Sequence, residues 1–112
     1  MGIGPGNLQR DMVPDETISN QASGSTFGKF DATFGGTATV RINLATNATL
    51  ELRVTPSGGS EVSGGFFDEF TTLTAGNGYT YEFPITAGAS YGFRVGTTQV
   101  GDLEIAISAR LV

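Results

Sequence analysis

The chain has 112 residues and a net charge of −5 at neutral pH, and it contains neither cysteine nor histidine. A chain of this length forms one domain with a single core. The missing residue types rule out disulfides, thiolate or imidazole metal ligands and a histidine base. The acidic balance argues against nucleic acid or an anionic membrane as a partner, since both attract basic surfaces. No apolar run approaches the length of a membrane-spanning helix.

The first 25 residues predict an extended N-terminal arm, separate from a domain over residues 26–112. Glycines and prolines punctuate this segment, and its apolar residues repeat with no period. Such a pattern predicts at most one short strand, near residues 17–22. The segment also lacks the basic start and apolar run of a secretory signal. We therefore expect a protein made in the cytoplasm that either stays there or leaves inside an assembled particle.

From residue 26 onward, apolar and polar residues alternate with a period of two. Phe30, Ala32 and Phe34 share one face, with a bulge expected at Gly28. The same alternation returns over residues 40–44, 50–54, 79–85, 91–95 and 103–111. Each run is typical of a strand with one buried face. Seven or eight such strands predict an all-β fold, an antiparallel β-sandwich or jelly roll, with a small barrel as the alternative.

Local pairing of these strands predicts hairpins. Residues 38–44 and 48–54 form one hairpin if Arg41 lies opposite Glu51, which avoids a clash between Arg41 and Arg53. The phrase TLTAGNGYTYEF at residues 72–83 is echoed by PITAGASYGFRV at residues 84–95. Each Thr-Ala-Gly predicts a five-residue hairpin loop with a left-handed glycine, giving a meander with Glu82 opposite Arg94. On this interpretation the repeat builds structure and performs no chemistry.

The glycine-rich stretch at residues 58–73 resists a regular strand. Phe66, Phe67 and Phe70 cannot all face inward, so either a bulge lies near residues 68–70 or one ring is exposed. This stretch is the predicted interaction loop. Its candidate contact residues are Phe66, Phe67, Asp68 and Glu69.

Catalytic and metal sites are poorly supported. Asp68, Glu69 and Glu61 could hold a cation, but the spacing of a calcium loop is missing, so solvated surface charge is favoured. Asp68 and Glu69 also fail as a glycosidase pair, because adjacent strand residues point to opposite faces. Serine has no histidine partner. We expect no enzyme activity and no cofactor.

Carbohydrate binding is the alternative function. Sugars stack on exposed aromatic side chains, but the chain has no tryptophan, and its three tyrosines fall in the inward phase of their strands. Phe66 and Phe67 are the platforms that remain for a host glycan.

The stretch FGGTATVRINL, the paired Thr-Ala-Gly turns and the final strand VGDLEIAISARLV resemble small structural proteins of tailed-virus particles. These are capsid decoration or turret subunits and short tail-fibre domains. The resemblance implies a non-enzymatic virion protein that forms a homo-oligomer, a trimer or pentamer, on the particle surface. It also implies an arm that contacts a neighbouring subunit, the major capsid protein or another virion protein. The anchors of that arm would be Ile3, Leu8, Met12 and Val13.

Overall fold

The computed structural model describes residues 9–111, with side chains from Arg10 onward. Over these residues the chain forms two four-stranded antiparallel sheets, in the orders β1-β8-β3-β6 (sheet A) and β2-β7-β4-β5 (sheet B). The sheets pack as a β-sandwich, which confirms the predicted all-β architecture. The strands are β1 Gln9–Ser19, β2 Phe27–Asp31, β3 Gly36–Asn43, β4 Leu50–Thr55, β5 Val62–Phe66, β6 Tyr79–Ile85, β7 Ser90–Val95 and β8 Asp102–Leu111.

The core lies between the two sheets and is built from the inward residues of each alternating strand. Val40 and Ile107 face inward from sheet A and Leu50 from sheet B, all essentially inaccessible to solvent. Phe93 of β7 is fully buried at the centre, with its ring 6.2 Å from Phe27 and 5.8 Å from Phe83. Each such side chain contributes roughly 1.5–3 kcal/mol of burial free energy.

The N-terminal segment contributes an edge strand to the sandwich. The sequence predicted a short strand near residues 17–22, whereas β1 covers Gln9–Ser19 and pairs with β8. Register shifts on both sides of Val13 interrupt the ladder. These irregularities lie beside Pro14, which has no N–H to donate. They interrupt the alternation of apolar and polar residues by which the strand could have been predicted. Residues 9–19 are therefore part of the sandwich.

The predicted hairpins are wrong, because the loops concerned cross between the sheets. Strand β3 lies in sheet A and β4 in sheet B, and β6 and β7 are separated in the same way. Arg41 lies opposite Thr80 instead of Glu51, and Glu51 lies opposite Arg94. Alternation reveals which face of a strand is buried, but it does not identify the neighbouring strand. Phe83 and Phe93, for example, meet across the core and not along a ladder.

The repeated Thr-Ala-Gly phrase encodes one turn twice. The Thr74 N–H donates a hydrogen bond to Tyr79 Oη at 2.9 Å, and the Thr86 N–H donates to Tyr91 Oη at 2.8 Å. Each loop is thus closed by the hydroxyl of a tyrosine five residues further on. The glycine between them is left-handed in both copies, with φ of 84° at Gly76 and 90° at Gly88. The polar group that the two turns have in common is the tyrosine hydroxyl, a role that was not predicted from the repeated sequence.

We expect Tyr91→Phe to lower the free energy of unfolding by about 1–2 kcal/mol, because it leaves the part-buried Thr86 N–H without its partner. Tyr79→Phe should cost less, since its hydrogen bond is exposed and water can replace it. Urea unfolding of both variants measures the difference. Equal losses would show that the two turns do not differ in solvent access.

Candidate ligand-binding site at the Phe66–Phe70 turn

A strained turn follows the edge strand β5. The turn Phe67–Phe70 contains three consecutive residues with left-handed backbones, with φ of 57° at Asp68, 55° at Glu69 and 70° at Phe70. Left-handed conformations cost roughly 1–2 kcal/mol for each residue with a side chain. Such strain persists only where the surrounding structure enforces it, and it is concentrated at functional sites.

The turn divides the three phenylalanines between the interior and the surface. Phe67 points inward and stacks on Tyr81 with ring centroids 4.9 Å apart. Phe66 and Phe70 point outward, and their centroids lie 4.1 Å apart. Phe70 is 62% exposed and Phe66 is 36% exposed. The three rings therefore do not share the core, as predicted, but the outward partner of Phe66 is Phe70 and not the predicted Phe67.

Asp68 stabilises this turn through its backbone, and its side chain lies near Tyr81. The Asp68 carbonyl accepts a hydrogen bond from the Thr71 N–H at 3.0 Å. Burial, together with the nearby negative charge of Asp68, raises the pKa of Tyr81. Within residues 9–111, no three metal-binding side chains come together, and Glu61 is instead engaged on the outer face of sheet B.

A network of charged side chains lies on that outer face, next to the Phe66–Phe70 pair. Arg53 Nη1 donates to Glu51 Oε2, and Arg94 Nη2 donates to Glu61 Oε2, each at 2.9 Å. The Thr26 hydroxyl donates to Glu61 Oε1 at 2.9 Å. Glu51 and Arg53 are only 14% exposed. These partners fix each charged group in one orientation and leave the network with balanced charge.

The central member of the network is Glu61. The hydrogen bond from Thr26 holds the pKa of this carboxyl below its usual range, and the positive charges of Arg94 and Arg53 act in the same direction against the opposing effect of burial. A carboxyl whose pKa falls on folding stabilises the native state above its unfolded pKa. That stabilisation is lost as the pH falls through the folded pKa.

Glu61→Gln should therefore lower the free energy of unfolding by roughly 1–2 kcal/mol at pH 7, since it removes a charge-assisted hydrogen bond at a partly exposed site. The difference between wild type and variant should narrow below the ordinary carboxyl pKa of 4.5. Urea unfolding at pH 7 and pH 3 tests this. A gap of constant size would contradict the ionic role of Glu61.

A cavity of about 450 Å³ connects the aromatic pair to the charged network. Phe66 and Phe70 form one side, and Glu51 and Arg94 contribute polar groups. The volume lies in the usual range for small-molecule sites, which combine apolar surface with a few fixed polar groups. The sequence did not reveal Glu51 or Arg94 as site residues, because their proximity depends on the non-local pairing of β4 with β7.

A second groove, of about 350 Å³, crosses the outer face of sheet A. Its side chains include Arg41 and Asp15, which form an exposed ion pair at 3.7 Å, together with Thr80 and Glu104. Tyr79 borders this groove, but its ring stacks on Tyr81 of the inward face. The groove therefore offers polar groups without an outward aromatic surface, and the Phe66–Phe70 turn is the stronger candidate.

The structure describes two of the four predicted arm anchors. Ile3 and Leu8 lie outside the described residues. Val13 is buried in the core of its own subunit, and Met12 packs partly against that core. Across residues 9–111, no helix has the length and apolar character to cross a membrane.

No family model matches the chain, and a search of curated proteins finds no relative. Solved structures show distant similarity. A Clostridium thermocellum xylanase 10B structure, comprising CBM22-1 and GH10 modules with xylohexaose, aligns at 16% identity and a TM-score of 0.52, covering 86% of this chain and 21% of that chain. The structure of the infectious bursal disease virus Gx strain aligns at 12% identity and a TM-score of 0.45, covering 93% of this chain and 32% of that chain. The CBM1 of BiXyn10A, in its apo form, aligns at 10% identity and a TM-score of 0.42, covering 94% of this chain and 96% of that chain.

The chain spans about a fifth of the xylanase chain that it matches. At 16% identity, this similarity shows a shared fold and nothing more. Over residues 9–111 the chain is thus an eight-stranded β-sandwich whose fold is similar to part of the xylanase structure.

Proposed function

We propose that this chain is a non-catalytic carbohydrate-binding domain whose site is the cavity beside Phe66 and Phe70. The observation that carries the proposal is the outward pair of aromatic rings, held on a strained turn next to a fixed, partly buried set of charges. Contiguous exposed apolar patches often mark sites where a ligand or partner binds.

The two halves of the cavity match the two chemical surfaces of a sugar. A pyranose ring presents C–H groups on its faces and hydroxyl groups around its rim. The rings of Phe66 and Phe70 can pack against a C–H face, while the Glu51 carboxylate accepts and the Arg94 guanidinium donates hydrogen bonds at the rim. Because neighbouring side chains already orient these charges, little ordering is needed on binding.

The structural similarity guides the choice of the first ligand. The xylanase structure contains xylohexaose. Xylohexaose is therefore a suitable first probe, followed by a broad array of immobilised neutral and acidic glycans.

Isothermal titration calorimetry with xylohexaose and binding to the array test the proposal. We expect the wild-type chain to bind a glycan, and Phe70→Ala to weaken binding to the same glycan at least tenfold while the fold is retained. Val100→Ala is a matched control, because Val100 is an apolar residue with 79% exposure that does not line this cavity. Absence of binding to any glycan, or equal binding by wild type and Phe70→Ala, would contradict the proposal.

A second candidate function, self-assembly as a virion structural protein, is favoured by one observation. All five residues of edge strand β5 are exposed, and they include neither a charge nor a proline. Natural proteins usually protect such edges, because an open edge can pair with a strand of another chain. On this alternative, β5 would pair with a second copy or with another virion protein.

Light scattering on the wild type and on Ser63→Lys tests this alternative. We expect an oligomer that dissociates when the charge is placed on β5. A deletion to examine the arm should end at residue 8, because removal of all 25 residues would also delete strand β1 from sheet A. A wild-type monomer at high concentration would contradict self-assembly.

A further inference from the structure

An apolar cleft lies on the other side of Phe66 from the polar cavity. It has a volume of about 330 Å³ and opens between the edge strands β5 and β6. Apolar side chains of both sheets line it, among them Leu52, Val54, Phe67, Phe83 and Tyr91. Unlike the polar cavity, this cleft reaches the inward faces of the sheets.

Strand β5 packs closely on side chains that line the cleft. Gly64 and Gly65 border the cleft from β5. A Cβ atom added to Gly64 would lie 2.7 Å from Val54 Cγ2 and 3.0 Å from the Leu52 side chain. Gly64 therefore faces side chains that line the cleft, and a Cβ atom fits there only if Val54 or Leu52 shifts. A larger residue at this position must displace these side chains and so change the shape of the cleft.

The polar cavity and the apolar cleft share one lining residue, Phe66. A ligand on the Phe66–Phe70 platform thus lies next to an apolar recess that nothing in the described chain occupies. We propose that the preferred ligand is a carbohydrate with an apolar substituent, an aryl or short acyl group, and that this substituent enters the cleft between β5 and β6. This inference rests on the proposed carbohydrate-binding function.

Burial in such a cleft would give the substituted sugar a clear advantage. Each methylene group transferred from water to an apolar site adds roughly a factor of four in affinity. Part of that gain is lost in ordering the substituent. We expect an aryl glycoside to bind at least tenfold more tightly than the methyl glycoside of the same sugar.

Amide NMR titrations with matched methyl and p-nitrophenyl β-glycosides of xylose, glucose, galactose, mannose and N-acetylglucosamine test the inference, with p-nitrophenol as a sugar-free control. For a sugar that binds, both glycosides should shift the amides of Glu51, Phe66 and Arg94. The aryl form alone should also shift Leu52 and Gly64. Binding of both forms with equal affinity, and without shifts at Leu52 and Gly64, would overturn the inference but leave the proposed function intact. Absence of shifts at Glu51 and Arg94 with every glycoside would overturn both.

Variants separate the two halves of the site. Gly64→Ala should remove the advantage of the aryl form and leave the affinity for the methyl form unchanged. Phe70→Ala should weaken both forms by the same factor, because Phe70 lines only the polar cavity. Should Gly64→Ala fail to fold, Val54→Ile fills the same cleft with one methylene group. An aryl advantage that persists in the folded filling variant would overturn the inference.

Discussion

Replacing Gln99 with leucine is expected to destabilise the protein by about 3–5 kcal/mol. Gln99 is the fully buried polar side chain among the described residues, with 1% exposure. Its Oε1 accepts hydrogen bonds from the Ala45 and Thr46 N–H groups, both at 2.9 Å. Its Nε2 donates to the carbonyls of Thr46 and Thr97, both at 3.1 Å. One amide therefore satisfies three backbone groups in the loop that crosses between β3 and β4, and a fourth, the Thr97 carbonyl, in the loop between β7 and β8.

Leucine has a similar volume but no polar atoms, so Gln99→Leu leaves these backbone groups unpaired. Each buried unpaired group costs roughly 1–3 kcal/mol, partly relieved if water enters. Urea unfolding gives the difference from wild type. Thr98→Val is the matched control, because the Thr98 hydroxyl makes exposed hydrogen bonds with Ser23. It should change stability by less than about 0.5 kcal/mol. A loss below about 1 kcal/mol for Gln99→Leu would show that the crossing loop does not depend on this amide.

Phe67→Ala should have the second large effect, on both stability and ligand binding. The ring of Phe67 lies 6.2 Å from Phe83 and 6.0 Å from Phe93, in addition to its stacking on Tyr81. Loss of this contact should lower the free energy of unfolding by about 3 kcal/mol, the lower end for phenylalanine truncation because the ring is only partly buried. It should also free the strained turn to relax, which would separate the Phe66 and Phe70 rings.

The binding effect of Phe67→Ala distinguishes a positioning role from a contact role. Phe67 does not line the polar cavity, so any loss of glycan affinity acts through the turn. Phe70→Ala is the comparison, since it should reduce affinity with little change in stability. Urea unfolding and calorimetry on both variants separate the effects. Unchanged glycan affinity in a folded Phe67→Ala chain would contradict the anchoring role.

The sequence was sufficient to predict the class of fold. Alternation at residues 40–44 or 103–111 reports burial of one strand face, and that local property survives in the structure. It was insufficient for strand pairing. Arg41 and Glu51 are close in sequence and opposite in charge, yet they lie in different sheets. Pairing energies depend on the inward packing of all strands together, which no local pattern contains.

The candidate site was predictable in part. The interaction loop was predicted from three phenylalanines that lie near four glycines, because no regular strand can bury all three rings. The left-handed turn had no signal, since Asp68, Glu69 and Phe70 are not residues that favour positive φ as glycine does. The polar groups of Glu51 and Arg94 could not be predicted as part of the site, because the two residues meet only through the pairing of β4 with β7. The burial of Gln99 could not be predicted either, because a single buried glutamine produces no periodic pattern in the sequence.

The position of β8 has a consequence for how the protein is made. This strand is the last of the eight in chain order, yet it lies between β1 and β3 inside sheet A. During translation, the edges of β1 and β3 that pair with β8 therefore stay unpaired until β8 is made, while β4 and β5 are sequence neighbours that can pair early. Folds dominated by such distant pairings form slowly, and their waiting strands are prone to aggregation. Expression at low temperature or with chaperones that hold nascent chains should therefore raise the soluble yield.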